Sequence, residues 1–178
     1  MPAPAGEQHL CRELHLELAG ARVARWPGVG GPGDVVLRQG HRCPARQAGA
    51  HAVREGVTHA LVVPTAQWGH PMCGPTSVQG FVAAEAPWRH FSGLGWGSLG
   101  VLELTALPTI GAERWQPWVR EADVLLVDGG DATYLCHWMR ESGIADLLPS
   151  LPGTVWVGVS AGSMVMTPRI GAYFVEWP

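Results

Sequence analysis

DVLLVDGGDATYLCHWMRESGIADLLPSLPGTVWVGVSAGSMVM, residues 123–166, decides the fold. It opens on DVLLVDGG (Asp123 to Gly130), an apolar run ending in two glycines, as a strand buried on both faces would. DATYLCHWMRESG (Asp131 to Gly143) then reads as a helix. Asp131 suits its N-cap, Gly143 suits its end, and Ala132, Leu135, Cys136 and Met139 share one face at i, i+3, i+4 and i+7. TVWVGVSAGSMVM (Thr154 to Met166) is a second apolar strand, a tight turn and the start of another helix. Strand, helix and strand at this spacing mean an α/β fold, with a parallel sheet flanked by helices.

The tight turn carries the chemistry. GVSAG, Gly158 to Gly162, fits the G-x-S-x-G pattern of a nucleophile elbow. A residue on so sharp a strand-to-helix turn is forced into a strained backbone conformation. Its neighbours two positions away must be almost free of side chain, because strand and helix pass close there. Gly158 and Gly162 meet that need. Ser160 would project its hydroxyl above the carboxyl edge of the sheet. The N–H of Ala161 would point at the same space and could hold an oxyanion, aided by the positive end of the helix. Gly129 and Gly130 end the neighbouring strand on the same edge, so a bare N–H there would be the natural second donor.

Working outward, AERWQPWVREA (Ala112 to Ala122) reads as a helix whose first part Pro117 limits. GVLELTAL (Gly100 to Leu107) reads as a strand, and THALVVPT (Thr58 to Thr65) as a buried strand ended by Pro64. Residues 66–95, rich in Gly, Pro, Trp and His, are expected to form a long loop with a short helix near Val78 to Ala86.

The first 56 residues have a different texture. Eight Gly and five Pro fall in the first 50. LHLEL (Leu14 to Leu18) alternates like a strand and DVVL (Asp34 to Leu37) is a short apolar run, but no amphipathic helix follows either. GVGGPG (Gly28 to Gly33) matches the dinucleotide fingerprint only formally. No strand feeds it, Pro32 interrupts it and no helix follows, so it reads as a loop. The expected division is an atypical segment over 1–56, disordered or unrelated in origin, and an α/β domain over 57–178.

Composition narrows the function classes. The 178 residues are 47% hydrophobic and 15% charged, which excludes wholesale disorder. The net charge of −3 excludes a nucleic-acid-coating protein, and the arginines of the first 50 residues lack aromatic interleaving beyond Trp26. Leu147 to Pro168 is uncharged over 22 residues, but Pro149, Pro152, Gly153, Gly158 and Gly162 break it into turn, strand and loop rather than a membrane span. Cys11, Cys43, Cys73 and Cys136 show no paired spacing and read as free thiols of a cytoplasmic protein. His70 and Cys73 are two candidate ligands, too few for a metal site.

VLLVDGGDATYLCHWMRESGIADLLPSL followed by VWVGVSAGSMVMTPRIG resembles the peptidase E family of serine peptidases, the aspartyl dipeptidases. ALVVPTA, LGWGSLGVLELTALP and WVREAD fit the same order, so the resemblance spans about residues 58–174. It implies a class I glutamine amidotransferase-like three-layer sandwich whose elbow carries Ser in place of Cys. It further implies that Ser160 is the nucleophile and that Ala161 with Gly130 (or Gly129) forms the oxyanion hole. The implied reaction cleaves a short peptide after an N-terminal Asp through an acyl-enzyme, with no metal or cofactor. Arg169 is the nearby cation that could meet an acidic side chain.

The family places its triad His and acid after the elbow. Only 18 residues follow Ser160 here; none is His, and Glu176 is the sole acid. The sequence is therefore expected to stop before the triad is complete, leaving this chain a truncated member that lacks, as written, the His its activity needs. His70, His90 and His137 lie upstream and read as surface or packing residues. The family's first strand and helix are also missing from residues 1–56. A misplaced start or a frameshift in a GC-rich gene would explain that, since the chain has twelve Arg and neither Lys nor Asn. The competing expectation is a non-catalytic module of the same fold that binds a ligand or partner. A generic esterase fits less well, because no HGGG-type segment is present.

Overall fold

In the computed structural model the described residues are 22–24, 35–38, 59–86, 92–93, 95–151 and 153–167. Four strands form a parallel core: β3 (His59–Val63), β4 (Ser98–Val101), β5 (Val124–Val127) and β6 (Val155–Gly158). Two further strands, β1 (Arg22–Ala24) and β2 (Val35–Arg38), add antiparallel beyond β6, giving the order β1-β2-β6-β5-β3-β4. The sheet is thus mixed at one side rather than wholly parallel. LHLEL, the GVGGPG stretch, His90, Cys11, Cys43, Arg169 and Glu176 lie outside the described residues.

All four residues of β5 are buried. Side chains alternate across a strand, and the two resulting faces are covered differently. Leu125 and Val127 pack with Val63 and Trp156 in the larger core, against α2 (Ala112–Glu121), α3 (Ala132–Glu141), α4 (Ile144–Leu147) and α5 (Ala161–Met164). Val124 and Leu126 pack with Ala60, Val62, Val157 and Phe81 of α1 (Pro75–Val82) on the opposite face. Helices on both faces make this an α/β fold of three layers.

α3 forms as its sequence predicts. The Asp131 carboxylate accepts from the N–H of Tyr134 at 2.8 Å, and Ala132, Leu135, Cys136 and Met139 are all buried. Gly143 follows the helix at φ +77°, the left-handed geometry that ends helices.

Three expectations need correction. Pro117 does not limit α2, which runs through it over ten residues. Trp115 and Val119 flank that proline and are both buried, so packing holds the helix across the lost backbone bond. The strand expected over 100–107 ends at Val101, and Leu104–Thr109 winds into a 3-10 turn. Hydrogen bonds across the fold redirect it: Thr65 Oγ1 donates to Glu103 at 2.7 Å and accepts from the N–H of Leu104 at 3.0 Å. α1 begins three residues before the predicted helix, because Pro75 starts it and the Ser77 hydroxyl accepts from the N–H of Gly74 at 2.8 Å.

Candidate active site

Parallel neighbours end on one edge, and here β5 and β6 end side by side. Val127 is level with Gly158, and the N–H of Val159 donates to the Val127 carbonyl at 2.9 Å. The chain then reverses from β6 into α5 within two residues. A Cβ on Gly158 would collide with the carbonyl of Gly162, and one on Gly162 with the carbonyl of Val127. Both positions therefore need glycine for close approach. The Trp156 indole donates to the Gly162 carbonyl at 2.8 Å and ties strand to helix.

Ser160 sits at the apex with φ +48° and ψ −111°. Only Ala84 shares a positive φ among the described non-glycine residues. A side chain in this region costs of order 1–3 kcal/mol and persists only where its surroundings enforce it. The enforcement is visible. The Ser160 carbonyl accepts from the N–H groups of Ser163 and Met164 at 2.9 Å and from the Ser163 hydroxyl at 2.7 Å. Ser160 itself is exposed.

Gly129 lies against this serine. A Cβ there would be 3.0 Å from Ser160 Cβ and 3.6 Å from its Oγ. Gly130 adopts φ +139°, and a Cβ on it would strike the carbonyl of Ala66. The two glycines differ in what their N–H groups do. That of Gly129 donates to its neighbour Asp128 Oδ1 at 2.7 Å. Among the described residues no protein acceptor meets the N–H of Gly130 or of Ala161.

Asp128 is a group that the sequence motifs did not single out. It is 1% exposed, and its other oxygen accepts from the side-chain amide of Gln67, itself 2% exposed. Burial pushes its carboxyl up to about 7, against the opposing pull of the Gly129 N–H and the Gln67 amide. A signal existed: an acid set directly between a buried apolar strand and a glycine pair.

The histidines behave as separate features. His70 Nδ1 accepts from the N–H of Met72 at 3.2 Å. His137 stands edge-on to Trp138, with ring centres 5.2 Å apart. Among the described residues no three His, Cys, Asp or Glu side chains cluster as a metal site would require, and no helix is long and apolar enough to cross a membrane. Cys136 is buried in the core and Cys73 is half-buried; both are free thiols.

One of the comparisons with known proteins, that with family models, bears on this architecture. No curated protein and no solved structure matches the chain. The family model of Peptidase family S51 matches residues 53–173, which takes in β3 to β6, the glycine pair and the whole Ser160 turn. The chain belongs to Peptidase family S51, the peptidase E family, and is by that membership a peptidase-family α/β protein.

Proposed function

We propose that this chain carries the site of a serine-type dipeptidase that cleaves short peptides after an N-terminal Asp. The supporting observation is Ser160: an exposed hydroxyl on a strained strand-to-helix turn, with two N–H groups on the same edge that meet no protein acceptor among the described residues. Its Oγ attacks the scissile carbonyl carbon while its proton passes to a base. The carbonyl oxygen becomes an oxyanion that takes the N–H groups of Ala161 and Gly130. The C–N bond breaks, the amine leaves with the proton, and water then hydrolyses the ester on Ser160. Gly130 serves better than Gly129, whose N–H is already bound by Asp128. Arg169 is the proposed cation for the acidic side chain.

Among the described residues no side chain hydrogen-bonds the Ser160 hydroxyl, and the oxyanion donors with binding alone would supply about 10³–10⁴ over water. The lack of that contact among the described residues favours a second reading, a non-catalytic binding module. A fluorophosphonate probe with peptide mapping, run beside Asp-X dipeptide turnover, separates them. An adduct on Ser160 that Ser160→Ala abolishes supports the peptidase reading. No adduct at Ser160, or turnover unchanged in Ser160→Ala, overturns it.

A further inference from the structure

We infer that Asp128 and Gln67 form a buried positioning pair that sets which backbone N–H faces the reacting carbonyl, and that Asp128 serves this role in its neutral form. The inference rests on Ser160 being the nucleophile. It begins with the hydrogen bonds of the β5–α3 turn. Two glycines offer two N–H groups on the sheet edge that carries Ser160, and nothing in a glycine pair chooses between them. Asp128 chooses. Its Oδ1 takes the Gly129 N–H at 2.7 Å, which leaves the Gly130 N–H without a protein acceptor among the described residues.

The buried setting of the pair argues for a proton on Asp128. Gln67 Nε2 donates to Asp128 Oδ2, while Gln67 Oε1 is buried and has no partner among the described residues. An orphaned buried acceptor is costly. A half-turn of the Gln67 amide would point Oε1 at Asp128, where a carboxylic acid O–H can donate to it. That turn also moves Nε2 to the place Oε1 leaves, so what favours the proton is the burial of a carboxyl, 1% exposed, that no cation pairs with among the described residues. That burial pushes the carboxyl up to about 7.

Chemistry at Ser160 supplies the reason. Attack on a carbonyl creates a negative oxygen beside Gly129 and Gly130. A carboxylate buried next to that oxygen would oppose it in a medium that screens poorly, whereas a neutral acid would not. Among the described residues no cation offsets that charge. The Thr65–Gly69 turn presents Gln67, the β6–α5 turn presents Ser160, and the loop ahead of α1 presents the Cys73 thiol. Cys73 is the titratable group among these. Burial pushes its thiol up, and Asp128 adds to that shift when it is ionised.

Two measurements test the inference in the full chain. The first is amide hydrogen exchange at Gly129. It should be slow in the wild type, faster in Asp128→Ala, and slow again in Asp128→Asn, whose side-chain oxygen can still accept. Equal exchange in the wild type and the Ala variant overturns the inference whatever Ser160 does. The second is the rate of fluorophosphonate labelling at Ser160. The ratio of the Asp128→Asn rate to the wild-type rate should rise about tenfold as pH goes from about 5.5 to about 8.5. An adduct whose rate ratio stays flat overturns this inference alone. Failure to form an adduct at any pH overturns the nucleophile reading and, with it, the positioning role of Asp128.

Discussion

Replacing Ser160 by Gly should make the protein more stable than replacing it by Ala, the reverse of the usual order. At an ordinary site Gly is about 0.5–1 kcal/mol worse than Ala, because the unfolded chain gains freedom. Ser160 is not ordinary: at φ +48° and ψ −111° a Cβ is strained, at a cost of about 1–3 kcal/mol. Alanine keeps that Cβ and the strain; glycine removes both. The hydroxyl itself makes no hydrogen bond among the described residues, and the side chain is exposed, so its loss removes little else. The balance favours the Gly variant by about 1 kcal/mol, or roughly 2–4 °C in Tm for a chain of this size. Urea midpoints followed by tryptophan fluorescence, with melts by circular dichroism, measure it directly. The test needs no catalytic activity. An Ala variant as stable as the Gly variant, or more so, would refute the claim that the turn holds Ser160 under strain.

Other outcomes follow from the same geometry. Ala84, at φ +56°, should also tolerate Gly, with a gain of up to about 1 kcal/mol in stability that raises the urea midpoint. Gly158→Ala should cost at least about 1–3 kcal/mol, since its Cβ meets a backbone carbonyl that cannot swing away. Leu135→Ala, which empties a fully buried site, should cost about 2–5 kcal/mol. Asp128 makes stability depend on pH. Its carboxyl is raised on folding, so its contribution is full below about pH 4 and is lost as pH rises through about 7, a swing of roughly 4 kcal/mol. The stability of the wild type relative to Asp128→Asn should therefore fall over that range; a difference that grows with pH refutes the assignment.

Much of this protein was legible in residues 123–166. The apolar runs of β5 and β6 are almost free of alternation because helices cover both faces, and the helix between them carries its cap, its stripe and its stop in consecutive residues. G-x-S-x-G was readable for a steric reason: so tight a turn leaves no space for side chains at Gly158 and Gly162, and the structure shows backbone carbonyls where those side chains would sit. Such features are local, and local features are written in order along a chain.

What the sequence could not show depends on partners distant in the chain. Glu103 ends its strand early because Thr65, 38 residues away, reaches it. α2 survives Pro117 because Trp115 and Val119 find a core. Above all, Gly129 and Gly130 are equivalent on paper. They differ in space because Asp128 turns back onto one N–H while Gln67, 61 residues upstream, grips the same carboxyl from another turn. Sequence by itself determined the fold class, the family and the serine at the apex of the turn. The tertiary structure decided which glycine of the pair has its N–H bound and which meets no acceptor among the described residues, because a hydrogen bond has a direction only once both of its partners have been placed.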